Sequence, residues 1–386
     1  MFLYTLNKAI FNLSKYIIWM CIGEKDMIDM DFLEFVNDKH YLNEILFAQD
    51  KSDLQMLAEV LDIKGYKKLN DEGLRDALYD ALTDVHRFAD YLKYFPYETR
   101  RVFASEKSNV AFNFAKDPYE QFAFRLYLSP VTDEENWFLL IPEEIKETYR
   151  EAIEQGLLAD EDNIYSLLRI CLAGATHIYG MCTMDHFCKL VKELTGLDVD
   201  ADFVVDYCDE LKAYPNLSDF IATYEYVCDL NLFKQGYTEF LEIQDKTENY
   251  YMPTLDELTH ITNFNYMPFN INANALKDFL LRKGYVEEEF LATIAVATLQ
   301  SLLTTGADPA DILPEVFSNF MEEETFNRLI ESDGFLNKYD ALVNSTHIAI
   351  FKGHTPNDIF SDMDNAMDFI EEADLDNVIE FPSKKN

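Results

Sequence analysis

Apolar residues recur at helical spacing through most of the chain, and the clearest case is 52–82. Leu54, Leu57, Ala58 and Leu61 share one face, which predicts an amphipathic helix. Ser52 followed by Gln55 has the form of a capping box at its start. Ile63 to Leu69 interrupts the pattern, and Gly65 allows the backbone to turn there. Asn70 is the expected N-cap of a second helix, striped by Leu74, Leu78 and Leu82. Two short helices and an extended loop can close a small apolar core between them.

The same periodicity extends in both directions. Asp31 to Gln49 predicts two short helices, carrying Phe32, Phe35 and Val36, then Leu42, Ile45 and Leu46. Beyond the module a helical pattern runs from Asp84 to Tyr94, breaks at Pro96 and resumes from Glu98 to Ser105. Residues 123–141 change character: Ala123–Ser129 and Asn136–Ile141 are rich in β-formers and flank a turn-like PVTDEE stretch, which predicts one β-hairpin. A helix–hairpin–helix order fits a winged-helix unit. However, the strands carry one base, Arg125, and the turn carries Asp133, Glu134 and Glu135, which suits a structural wing better than one facing phosphates.

Pro142-Glu143-Glu144 opens the next helix, with proline at the first turn and acids at the positive end of the dipole. From Ile164 to Asp229 the chain reads as successive helices, with Gly180 ending one and Thr183 capping the next. Asp198, Asp200 and Asp202 have calcium-loop spacing. The positions that should hold Gly and Glu hold Phe203 and Asp209, so the acids read as a capped helix start. Thr254 and Glu257 form a second capping box. Asn263–Asn274 reads as a loop. Helices follow over Ala275–Arg282, Glu287–Thr305 and Pro309–Phe320, with Leu291–Leu303 apolar enough to be buried centrally. Phe360, Met363, Met367 and Ile370 stripe an acidic helix before the tail.

The expected fold is mainly α: a multi-helix array with a small helix–loop–helix module and one β-hairpin. The expected divisions are 1–27 (amphipathic leader or upstream extension), 28–95 (helical, containing the module at 52–82), 96–245 (helical with the hairpin at 123–141) and 246–386 (helical with an acidic tail). Among residues 1–23, Phe2, Leu6, Ile10, Leu13 and Ile17 are apolar, while Thr5, Lys8, Asn12 and Lys15 share another face. The uninterrupted apolar run there, Tyr16–Gly23, is shorter than the ~20 residues a bilayer needs. The stretch reads as a helix docking on the protein, a membrane-surface helix, or an extension upstream of Met27 or Met30. Membrane association is not the expectation.

Composition narrows the function. With 48% apolar residues and only 12 Gly and 11 Pro in 386 residues, the chain can bury a large core and favours helices over many short strands. The net charge of −39 excludes a surface that grips nucleic acid along its whole length. A basic cluster survives in the module loop: Lys64, Lys67 and Lys68, with Tyr66 among them. Lysines neutralise phosphate and a ring can stack on a base; otherwise Tyr66 is core and the lysines are solvated. The six cysteines have no tight disulfide spacing and read as reduced thiols in a cytoplasmic protein. His177, Cys182, His186 and Cys188 lie close in sequence but lack the paired spacing of zinc sites, so core packing is expected and no metal or cofactor is assigned. No Walker A, dinucleotide, H-E-x-x-H or nucleophile-elbow pattern occurs, and no catalytic residue is assigned. The expectation is a non-enzymatic binding or scaffold protein with a protein partner. The alternative is a nucleic-acid-associated regulator acting through the lysine loop.

The pattern Leu57-Ala58, Leu61, Ile63-Lys64-Gly65-Tyr66, Leu69 and Leu74 resembles the N-terminal module of transcription termination factor Rho and the SAP modules related to it in shape. That resemblance implies contact with nucleic acid or protein. Further landmarks are LLIPEEIKE at 139–147, IYG at 178–180, YYMPTLDEL at 250–258 and KGHTPND at 352–358. With IKGYKKL at 63–69 they make the chain similar to a group of bacterial proteins that combine a Rho-type module, a helical middle and a zinc-binding SEC-C tail. The segment EFPSKKN stands where that cysteine-rich tail is expected, so no zinc site is carried over. The resemblance implies no particular activity.

Overall fold

The computed structural model describes residues 38–112, 127–132, 137–159, 162–214, 217, 219–318 and 320–360. They fall into two compact units, one reaching Ile170 and one starting at Cys171. Both are mainly α, and two three-stranded antiparallel sheets interrupt the helices. The leader at 1–27, the expected helix around Phe32–Val36 and the acidic helix beyond Phe360 lie outside the described residues.

The first unit opens with α1 (Leu42–Ala48), α2 (Lys51–Val60), a 3-10 turn (Tyr66–Lys68) and α3 (Asp71–Leu82). Leu54, Ala58, Leu61, Leu74, Leu78 and Leu82 are all buried, so the apolar stripes meet as their spacing requires. Asn70 caps α3, accepting from the Gly73 amide at 2.9 Å. The cap of α2 differs from the expected Ser52 box. Asp50 accepts from the Asp53 amide at 2.9 Å, and the Ser52 hydroxyl donates to the same carboxylate. Aspartate caps as well as serine, and Asp50 also has the Ser52 hydroxyl to satisfy its oxygen.

Next come α4 (Val85–Leu92), α5 (Tyr97–Arg100), β1 (Asn109–Phe112), β2 (Ser129–Thr132), β3 (Trp137–Leu140) and α6 (Glu143–Glu154). β3 is central, pairing with β1 through Asn109↔Leu140 and with β2 through Ser129↔Leu140. The hairpin exists, but its first strand lies later than Ala123–Ser129 and takes in Pro130 and Val131, which read as turn. Residues 123–126 lie outside the described set. Tyr127 and Leu128 are buried before the strand begins, with the Tyr127 ring 4.8 Å edge-on to Phe88. Their β-forming side chains serve the core instead. Pro130 is tolerated because β2 is an edge strand. Phe103 and Tyr149 complete the ring cluster around Phe88.

The unit boundary falls within α7 (Ile164–Tyr179). The second unit continues with β4 (Met181–Thr183), α8 (Met184–Thr195) and α9 (Ala201–Leu211), capped by Asp200 onto the Phe203 amide. Then follow β5 (Phe220–Ala222) and β6 (Tyr226–Asp229). The sheet order is β4-β6-β5, with Cys182 opposite Val227 and Ile221 opposite Cys228. The expected helical run to Asp229 therefore stops at Leu211. Strands of three or four residues are too short to show alternation against helical neighbours.

α10 (Leu230–Gln235), α11 (Thr238–Gln244), α12 (Leu255–Phe264), α13 (Ile271–Arg282), α14 (Glu289–Thr304), α15 (Pro309–Phe317), α16 (Glu323–Ile330), α17 (Asp333–Asn344) and α18 (Pro356–Phe360) complete it. The Thr254–Glu257 capping box is present on α12. Asn270 caps α13 through the Asn272 and Ala273 amides, so the expected loop is shorter and the helix starts earlier. α14 is buried on nearly every side, polar Thr293, Gln300 and Thr304 included, and packs against α13, α15 and α17.

Candidate functional site

The lysine loop is shaped by two left-handed residues, Asp62 (φ 48°) and Gly65 (φ 76°). Gly65 adopts this geometry without a Cβ penalty. The reversal turns Lys64, Lys67 and Lys68 outward and leaves Tyr66 half-buried. Lys64 does not stand free: its ammonium donates to both oxygens of Asp62 at 2.5 and 2.6 Å. Lys67 lies 5.5 Å from the centre of the Tyr66 ring and so covers one face of it. The loop is held from behind. Arg87 donates to the Leu61 carbonyl, and Lys51 pairs with Asp71 at 2.8 Å across the helix starts. That last pair is half exposed, so solvent screens it and it adds little.

A second constellation lies in the unit from Cys171 onward. It brings together three of the short segments singled out in the sequence, IYG, YYMPTLDEL and KGHTPND. The Tyr251 amide donates to the Lys352 carbonyl at 2.9 Å. The Tyr179 hydroxyl donates to the Tyr251 carbonyl at 2.6 Å. Lys352, only 8% exposed, donates to the Thr247 carbonyl at 2.8 Å. Its ammonium lies 5.0 Å from the centre of the Tyr250 ring and 3.9 Å from Asp245. His354 Nε2 meets the Asn249 carbonyl at 3.0 Å. His347 Nδ1 meets the Gly353 carbonyl at 2.6 Å, which places its proton on Nδ1 in the neutral ring.

Gln244 sits beneath this hub, fully buried. Its amide nitrogen is 3.0 Å from the Tyr179 carbonyl, 3.1 Å from Met181 and 3.0 Å from Ala349. Rings fill the remaining space: His186 stacks on Tyr250 at 4.0 Å, and Tyr251 lies 4.2 Å from His347.

Burial sets the ionisation of these groups. It pulls His186 down to about 4, helped by the charges of Lys189 and Lys352. It also lowers His347, against the pull of the Gly353 carbonyl. Burial pushes Tyr250 up to about 12. Tyr251 rises to about 12 through burial and the adjacent Glu257 carboxylate, which its hydroxyl meets at 3.2 and 3.3 Å. The imidazoles of His186 and His347 and the phenols of Tyr250 and Tyr251 are therefore neutral at pH 7.

In the His177, Cys182, His186 and Cys188 stretch, Cys182 is buried in the core and the other three are half-buried. Burial pulls His177 down to about 4 and pushes the Cys182 thiol up. Among the described residues no group of three or more His, Cys, Asp or Glu side chains is placed to hold a metal ion. Cys171, Cys182, Cys188, Cys208 and Cys228 are free thiols.

Sequence reasoning singled out the hub segments as landmarks without joining them. Gln244 it missed, because a glutamine at a helix end carries no local signal of the distant carbonyls it serves. Among the described residues no helix is long and apolar enough to cross a membrane. Comparison of the chain with protein families, curated proteins and solved structures returns no match.

Proposed function

We propose that this is a non-enzymatic binding or scaffold protein of the cytoplasm, a helical array that acts by holding a protein partner. The observation that carries this reading is the chemistry of the hub. The donors of Gln244, Lys352 and Tyr179 are spent on backbone carbonyls, and His186, His347, Tyr250 and Tyr251 are held neutral by burial. Proton transfer near pH 7 needs groups poised to titrate there, whereas this arrangement suits the fixing of shape. Affinity purification from the host, with and without nuclease, tests the reading. A partner recovered at fixed stoichiometry and retained after nuclease supports it; a chain that stays alone counts against it.

One observation favours a second reading, a regulator that contacts RNA or DNA. Lys64, Lys67 and Lys68 are all exposed on one turn beside Tyr66. Three phosphate contacts would give a log–log salt slope of about −2 to −3. Replacing all three lysines by Glu should abolish binding. Salt-independent binding, or full binding by the triple variant, would sink this reading.

A further inference from the structure

The C-terminal end of α15 and the first turns of α16 enclose a groove of about 800 Å3, lined by Pro314, Met321, Phe326, Glu322 and Glu323 among others. Met321 and Phe326 are half-buried and pack on the core around α14. Glu322 and Glu323 are exposed, and so is Glu324 beside them. Among the described residues no ion pair engages these three carboxylates. Arg328, one turn further on, gives its guanidinium to the Thr325 hydroxyl. The groove thus has an apolar floor and an acidic lip with no base paired to it. Its volume is that of a ligand site, with room for a few side chains and not for a folded domain.

We propose that this groove receives a short helical segment of a protein partner, apolar on one face and edged with Lys or Arg. The inference rests on the partner-holding function proposed above and assigns it a surface. The lining residues belong to α15, α16 and the link between them, so they offer no strand edge to an extended peptide. A helix satisfies its own backbone hydrogen bonds and can lie on an apolar floor without leaving polar groups unpaired. It enters through apolar anchors three or four residues apart, and Met321 is an unbranched side chain that adapts to their shape. The lip decides the charge of the occupant. Glu322 and Glu323 repel phosphate, anionic lipid and acidic peptides, and the net charge of −39 repels them at longer range. Lip and floor face the same side of the bound helix, so its bases must sit at the edges of the anchor face. Bases on its far side would lie about a helix diameter, ~10 Å, from the lip.

The test uses the full chain and a synthetic fluorescent peptide with Leu anchors at helical spacing and Lys at the edges of the anchor face. A positional isomer carries the same residues with Lys moved to the opposite face. Fluorescence anisotropy should show the edge-Lys peptide binding tighter than its isomer by about 2- to 30-fold, the effect of two surface ion pairs. Glu322→Lys combined with Glu323→Lys should remove that difference. The same reversal at Glu287 and Glu288, exposed residues between α13 and α14, should keep it, which separates the lip from attraction to an acidic chain as a whole. Asn327→Trp fills the groove from an exposed position and should abolish binding. A photo-crosslinking group on a Leu anchor should map to 309–330. Equal binding of the two isomers, undiminished binding by the Asn327→Trp chain or cross-links that map elsewhere overturn the proposal. So does a photo-crosslinking amino acid at position 327 that joins two copies of the chain or another stretch of the same chain. The pull-down described above separates this claim from the function it rests on. A partner recovered equally by the wild-type and Asn327→Trp chains overturns the groove and leaves the function standing; a chain that recovers no partner overturns both.

Discussion

Gln244→Met isolates the hub. Methionine keeps the length of the side chain but donates nothing. The Gln244 amide has two hydrogens within reach of three carbonyls, so one hydrogen is shared. Losing two bonds to buried carbonyls costs about 2–6 kcal/mol, at ~1–3 kcal/mol for each unsatisfied group. Part of this is returned, because the Gln244 carbonyl oxygen is itself buried without a partner. Removing that atom relieves ~1–3 kcal/mol. The net loss is then about 1–3 kcal/mol, or roughly 5- to 150-fold faster exchange of the amides that the hub protects. Native-state hydrogen exchange at Gly180, Lys352 and Gly353 reads this directly, since their amides bond to Thr176, Ala349 and Ile348. Gln244→Glu should cost more, because a carboxylate would face three carbonyls. If Gln244→Met leaves exchange at these amides within a factor of about two, the reasoning fails.

Gly353→Ala should be severe. The residue has φ 80°, and an added Cβ would lie 2.5 Å from Ile178 Cγ2 and 3.0 Å from the Tyr179 ring. The left-handed penalty and overpacking together predict a loss of about 2–5 kcal/mol; a change in urea unfolding below about 1 kcal/mol would refute this. Acid sensitivity should also appear. His177, His186 and His260 are each pulled by burial from 6.5 to about 4, so the unfolded chain binds protons first as pH falls. Their contribution to stability is complete above pH 6.5 and is lost as pH drops towards 4. A urea midpoint that stays level from pH 7 to pH 5 would contradict this.

Elements marked by local chemistry were legible in the sequence. Asn70, Thr183, Asp200 and Thr254 each cap the helix expected of them, because a cap is a contact within a few residues. The α14 stripe was legible for the same reason, since its burial follows from its own composition. β4, β5 and β6 were not. Each is three or four residues long, and their pairing joins Met181 to Cys228, which no short window spans. The lysines of the loop could be read as exposed, but the closing of Lys64 onto Asp62 depends on the left-handed turn at Asp62. The hub lay furthest from reach, for it exists only where three distant stretches meet.

That separation has a consequence for synthesis on the ribosome. Gln244 and the Ala349 carbonyl are 105 residues apart, as are the Thr247 carbonyl and the Lys352 ammonium. At about 5–20 residues per second, roughly 5–20 seconds pass between the emergence of one half of each contact and the other. Through that interval Gln244 and the carbonyls of Tyr179 and Met181 lack the strand of chain that closes over them. The nascent protein must pass this stage with an open seam, the point at which a chaperone has most to hold.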